Sequence, residues 1–230
     1  MRSEYEIKQE ICEVGRRVYE RGMVAANDGN FSVKLNDNEI LCTPAGVSKG
    51  FMTPEAICKI DAEGRLLEAK GGFKPSSEMK MHLRVYKDRP DIQAVVHTHP
   101  PYATTFAAAG IPLEQPVLSE AVLSLGRVPV AAYGTPSTRE VPEAVAEYLP
   151  YYDAMLLANH GALAYGDSLM NAYYKMESVE FYARILYQVR LLGGARELTP
   201  KQVEDIYEIR RKSGMPGKHP ATNDQSQKEL

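Results

Sequence analysis

Two apolar runs that each end in histidine constrain this chain more than any other feature. Ala94-Val95-Val96 leads into His97-Thr98-His99-Pro100, and residues 154–158 lead into Asn159-His160-Gly161. Short apolar runs closed by proline or glycine read as buried strands. Side chains alternate between the faces of a strand, so His97 and His99, two positions apart, project to one side. Neutral imidazoles there can converge on one cation. His160 ends a separate strand, and Gly161 lets the backbone turn sharply, which allows approach to the first pair. Three histidines with an open fourth position make the donor set of a catalytic zinc ion rather than a closed structural one. The spacing also admits a plainer reading, a chance His-x-His pair and a hydrogen-bonded core histidine.

The flanking sequence describes one domain. At 230 residues the chain can bury a sizeable core, and its composition fits an α/β or α+β unit. Ile7, Ile11, Val14 and Val18 recur at helical spacing and stop at Gly22. Residues 31–35, 40–42, 57–60 and 65–67, divided by Asn, Asp, Gly and Pro, predict hairpins of an antiparallel sheet. Ser76 and Ser77 stand where a helix with Met79, Leu83 and Tyr86 on its apolar face would be capped. Pro100-Pro101 opens another helix. A strand at 128–132 precedes Ser137 and Glu140, spaced as a capping box for a helix through Ala144 and Tyr148. Residues 167–192 and the segment after Thr199-Pro200 read as helices. No repeat or linker divides the chain, so residues 1–213 are expected as one domain and 214–230 as a polar, frayed tail.

Charge and composition exclude several functions. A net charge of −3 and a pI near 6 leave no basic footprint for nucleic acid or anionic membrane, which favours a small-molecule or protein partner. No apolar run reaches the roughly 18 residues of a membrane span, and the opening MRSEYEIKQE lacks the apolar core of a secretory signal. A cytoplasmic location is expected. Cys12, Cys42 and Cys58 are odd in number and show no Cys-x-x-Cys spacing, so they read as reduced thiols.

Five segments then occur in one order: Asn30-Phe31-Ser32, Thr43-Pro44-Ala45-Gly46, Pro75-Ser76-Ser77-Glu78, Val96-His97-Thr98-His99 and Ala158-Asn159-His160-Gly161. In these the chain resembles the class II aldolase and adducin-head family, across residues 5–210. The resemblance implies a three-layer α/β fold, a central, mainly antiparallel sheet flanked by helices. It implies a homotetramer with the site near a subunit interface. It also implies one zinc ion per subunit, or another divalent metal, ligated by His97, His99, His160 and Glu78. Glu78 matches the family glutamate that leaves the metal when substrate arrives and then serves as acid/base. Gly29, Asn30, Ala45, Gly46, Ser76 and Ser77 match phosphate-binding positions, where glycine admits close backbone approach and a helix start favours an anion. Lys49 either adds charge there or is solvated surface. Glu120 lies in the otherwise apolar segment 118–122, where a free carboxylate is costly. It matches the proton-transfer carboxylate of the family's dehydratases and epimerases, and is expected to act on the aldehyde side.

The implied reaction is retro-aldol cleavage of a ketose 1-phosphate to dihydroxyacetone phosphate and a small aldehyde. L-fuculose 1-phosphate or a related 5-deoxypentulose 1-phosphate is the expected substrate. Epimerisation or dehydration of a sugar phosphate on the same metal is the second reading. A noncatalytic adducin-like interaction domain is the third, and the complete histidine set argues against it. Two departures leave the aldehyde open: fuculose-phosphate aldolases carry tyrosines near Pro116 and near residues 211–214, and this chain does not. His82, one helical turn after Glu78, is expected to support the site rather than ligate. His219, in the tail, is expected to have no catalytic role. Tyr102, Tyr133 and Tyr165 lie near the motifs without a specific signal.

Overall fold

The first apolar spacing forms helix α1 (Glu4–Glu20), with Ile11, Val14 and Val18 buried. Ser3 caps it, its hydroxyl accepting from the Glu6 N–H while the Glu6 carboxylate accepts from the Ser3 N–H. The structure, a computed structural model, describes residues 2–222. Strands β1 (Asn30–Asn36), β2 (Glu39–Cys42), β3 (Cys58–Ile60) and β4 (Leu66–Glu68) pair antiparallel in sequence order. Helix α2 (Met79–Asp88) carries the chain to β5 (Ala94–Thr98), which returns to the free edge of β1 and sets His97 opposite Asn30. Then come α3 (Pro101–Ala109), α4 (Ser119–Ser124), β6 (Val130–Ala131), α5 (Glu140–Ala146), β7 (Ala154–Leu157) and β8 (Gly161–Gly166). Helices α6 (Leu169–Leu191) and α7 (Pro200–Lys212) follow. Among the described residues the strands form one sheet of eight in the order β4-β3-β2-β1-β5-β8-β7-β6. Only β6 and β7 run parallel.

Alternation along the strands builds two cores. Val33, Leu41, Val96 and Ala164 face one side and pack with Val14 of α1, Phe106 of α3 and Met176 of α6. Ile40, Val95, Leu163 and Tyr165 face the other and pack with Val85 of α2 and Val145 of α5. Each fully buried aliphatic chain contributes about 1.5–3 kcal/mol, so covering both faces of the sheet is what holds three layers together. The expected α-β-α architecture is observed.

Several local expectations fail, each for a visible reason. Ser76 and Ser77 do not cap α2, whose N-cap is Glu78; Ser76 Oγ instead accepts from the Glu78 N–H at 3.3 Å. Ser137 and Glu140 form no capping box. Ser137 adopts a left-handed φ of +67° and donates its N–H to Glu78 at 2.8 Å, while Glu140 accepts from the Thr135 N–H at 2.8 Å. Strand β8 went unforeseen because Gly161-Ala162-Leu163-Ala164 is poor in strand-favouring residues; burial on both faces overrides that propensity.

The expected frayed tail does not describe residues 214–222. His219 is wholly buried, Nε2–H donating to Val122 O at 2.9 Å and Nδ1 accepting from the Ala221 N–H at 3.0 Å. Arg210 donates to both Leu123 O and Pro216 O. Polar composition concealed these anchors, and residues 223–230 of the expected tail lie outside the described residues. Cys12, Cys42 and Cys58 are free thiols. No helix among the described residues is long and apolar enough to cross a membrane.

Candidate metal centre

Strands β5 and β7 are each antiparallel to β8 between them, so they run in the same direction and finish at the same edge of the sheet. His97 and His99 leave the end of β5 there, and His160 leaves the end of β7. The ring centroids stand 4.9 Å apart for His97 and His99, 4.7 Å for His97 and His160, and 5.0 Å for His99 and His160. One nitrogen from each lies within 4.8 Å of the others.

Neighbouring groups set the direction of each ring. His97 Nδ1–H donates to Ala162 O at 2.9 Å, which leaves Nε2 as its lone-pair donor. His99 Nδ1 faces Asp28 Oδ2 at 3.3 Å, and its Nε2 lies 3.1 Å from that of His97. His160 Nδ1 is buried without a hydrogen-bond partner, a costly state for a polar atom with nothing to bind. Burial first, then the two neighbouring rings, hold the His97 pKa well below its ordinary value. Burial and His99 also lower that of His160, against the pull of Glu78 and Asp28. Neutral imidazole is the form that ligates metal.

The backbone leaves room for this packing. Asn159 takes a left-handed φ of +55°, which asparagine tolerates better than most residues, and so turns the chain into His160. A Cβ on Gly161 would stand 2.6 Å from His99 Cδ2 and 2.6 Å from Thr98 O, so only glycine leaves the ring its place. Three converging imidazoles with an orphaned nitrogen fit a divalent ion of the zinc type.

Glu78 stands beside this cluster rather than in it. Its charge acts on His160, while its Oε1 accepts from the Ser137 N–H at 2.8 Å and the Ser137 hydroxyl at 3.2 Å. The six phosphate-type residues gather at the same sheet edge. Gly29, at φ +77°, passes so close to β5 that a Cβ would lie 3.0 Å from His97 O. Asn30 is buried, and its Oδ1 accepts from His82 Nε2–H at 2.7 Å, leaving the amide N–H₂ to face elsewhere. His82, wholly buried, also contacts Ser32 Oγ at 2.7 Å, and burial pushes its pKa down to about 3. It supports Asn30 as a neutral ring. Ala45 N–H donates to Lys74 O at 2.8 Å and Ser76 N–H to Thr43 O at 3.2 Å, so the loop holding Ala45 and Gly46 is paired with the loop holding Ser76 and Ser77. Ser77 Oγ lies 2.8 Å from Ser137 Oγ, which can accept its proton while donating its own to Glu78.

Glu120 is not brought to the histidines of its own chain. Helix α4 turns Ala121 and Val122 inward and leaves Glu120 exposed, so the expected costly burial of its carboxylate does not arise. It lines a cavity of about 260 Å³ with Arg21, Glu177 and Phe181. A larger cavity of about 790 Å³, between Arg127, Tyr148, Tyr152 and Tyr207, is lined by none of the site residues. Tyr165 is buried with its hydroxyl on Tyr152 O, and Tyr133 is exposed. Sequence reasoning missed Asp28 and Ser137. Asp28 adjoins the Gly29-Asn30 motif, which could have flagged it; Ser137 gave no local signal.

Residues 9–187 match the family model for the Class II Aldolase and Adducin N-terminal domain. The chain belongs to this family. It is 34% identical over 204 residues to 3-oxo-tetronate 4-phosphate decarboxylase of Haemophilus influenzae, covering 86% of this chain and 95% of that one. It is 33% identical over 201 residues to 5-deoxy-D-ribulose 1-phosphate aldolase of Bacillus thuringiensis, covering 86% and 92%. Among solved structures, an L-fuculose 1-phosphate aldolase superposes with a TM-score of 0.82 at 31% identity, covering 91% and 97%. The family expected from the five motifs is thus found. As a class II aldolase family member the protein is an enzyme, a metal-dependent lyase.

Proposed function

We propose that the protein is a zinc-dependent aldolase that cleaves a ketose 1-phosphate to dihydroxyacetone phosphate and a small aldehyde. L-fuculose 1-phosphate or a 5-deoxypentulose 1-phosphate is the substrate. The observation that carries this reading is the convergence of His97, His99 and His160 beside Glu78, at the sheet edge where the Gly29, Gly46 and Ser76 loops also gather. A divalent ion held by these side chains supplies a Lewis acid that polarises the substrate carbonyl. Gly29, Asn30, Ala45, Gly46, Ser76 and Ser77 hold the phosphate. In retro-aldol cleavage the C3–C4 bond breaks as the C4 hydroxyl gives up its proton, and C3 must gain one. Glu78 carries the proton at C3, held by Ser137 until substrate arrives. Glu120 takes the proton on the aldehyde side. Because it lies away from its own histidines, it serves the site of another copy in a homotetramer, in the cytoplasm.

A second reading has a specific basis. The Haemophilus relative is named a 3-oxo-tetronate 4-phosphate decarboxylase, at an identity equal to that of the named aldolase within one per cent. Loss of carbon dioxide from a 3-oxo acid and retro-aldol cleavage both leave a carbanion beside a carbonyl, so the same centre suits either. A coupled assay for dihydroxyacetone phosphate over a panel of ketose 1-phosphates, run beside carbon dioxide release from 3-oxo-tetronate 4-phosphate, decides between them. Release of dihydroxyacetone phosphate is expected. Decarboxylation of that acid also leaves dihydroxyacetone phosphate, so carbon dioxide release with no cleavage of any ketose 1-phosphate would transfer the protein to the decarboxylases.

A further inference from the structure

Lys49 is a buried charge that the site's chemistry has not yet used. It is 1% exposed, and no carboxylate pairs with it among the described residues. Its Nζ donates to Asn27 O at 2.9 Å and Val47 O at 2.7 Å. Burial pushes its pKa down to about 8, against the opposing pull of the Asp28 carboxylate. A buried ammonium compensated only by carbonyl dipoles is expensive, since buried charges are ordinarily paired. The backbone of α1 lies directly against this turn: a Cβ on Gly15 would stand 2.5 Å from Lys49 O.

The two carbonyls belong to the loops that enter β1 and leave β2. One precedes Gly29 and Asn30; the other follows Ala45 and Gly46. At their bases the loops are joined by Thr43 N–H to Phe31 O at 3.0 Å and by Phe31 N–H to Thr43 Oγ1 at 3.1 Å. Towards their tips the ammonium makes the link. Beside it, Ser48 Oγ is buried without a partner, and the space over Gly46 is open, since a Cβ there would meet nothing within 4 Å.

We infer that Lys49 is the positioning residue of the phosphate subsite: its ammonium ties the Asn27 and Val47 carbonyls together, and its charge is the one that the substrate phosphate balances. This rests on the sugar-phosphate reading above. The backbone amides and hydroxyls touch the phosphate, while Lys49 sets their spacing and supplies a field from beneath. Removing the charge therefore weakens phosphate binding while leaving the histidine cluster intact.

The test uses the full-length, zinc-loaded protein and three variants. Lys49→Met removes charge and tie, Lys49→Gln keeps two N–H donors without charge, and Lys49→Arg keeps the charge. Inorganic phosphate affinity is read by calorimetry and bound zinc by elemental analysis, with KM and kcat compared on the ketose phosphate that turns over. Lys49→Met and Lys49→Gln should each lose at least about tenfold in phosphate affinity and gain a similar factor in KM. Their kcat should stay within about threefold and their zinc stoichiometric, and Lys49→Arg should restore most of the affinity. If Lys49→Met does not fold, Lys49→Gln carries the same reading. Neutral variants that bind phosphate as the parent does would overturn the inference alone. A parent protein that binds neither phosphate nor any sugar phosphate would overturn it together with the substrate reading.

Discussion

Gly161 fixes how closely the chain after His160 can approach the other two imidazoles. Gly161→Ala places a methyl group 2.6 Å from His99 Cδ2, so that ring must turn away from its partners. The variant should keep its fold yet lose about 10- to 100-fold in zinc affinity, measured by competition with a chelator; unchanged affinity would remove the triad from metal binding. The triad itself was legible because strand alternation and a strand-ending glycine are local patterns. Ser137 was not, because its contact with Glu78 spans 59 residues; Asp28, whose contact with His99 spans 71, offered only its place beside the Gly29-Asn30 motif. Lys49 shows the same limit. Its sequence neighbourhood left phosphate charge and solvated surface both open, and only the contacts with Asn27 O and Val47 O show where the ammonium sits.

Among the elements, α4 depends on the strap that follows α7. Val122 O and Leu123 O, near the end of α4, accept from His219 and Arg210. Burial pushes the His219 pKa down to about 4. The ring is neutral when folded, while in the unfolded chain it titrates near 6.5. Below pH 6.5 the unfolded state therefore binds more protons, and stability falls until about pH 4, where the folded ring protonates too. His82 adds a loss of the same sign down to about pH 3. Urea midpoints should fall from pH 7 to pH 4.5. A His219→Gln variant should start lower at pH 7 and fall less steeply; an equal slope would show that His219 does not titrate in this range. The opening helix, the four hairpin strands and α6 were readable from periodicity and punctuation. The strap and β8 were not, since a buried histidine in a polar tail and a strand of small residues draw their stability from distant partners.

At the scale of the whole molecule, Glu120 shares its cavity with Phe181, and α6 also exposes Tyr174 one heptad earlier. Phe181 and Tyr174 are 55% and 53% exposed, an apolar face suited to cover by another copy. Light scattering should give about four times the 25.6 kDa of one chain, and Phe181→Glu should lower that mass. A parent protein that stays monomeric would leave Glu120 without a histidine cluster to serve. The position of β8 has a further consequence. It is the wedge that holds β5 and β7 side by side, pairing residue 94 with residue 166 across the chain. A nascent chain extended only to His160 would own all three imidazoles of the cluster and no centre. An ion held by all three rings would therefore require the most sequence-distant pairing in the sheet to have closed first.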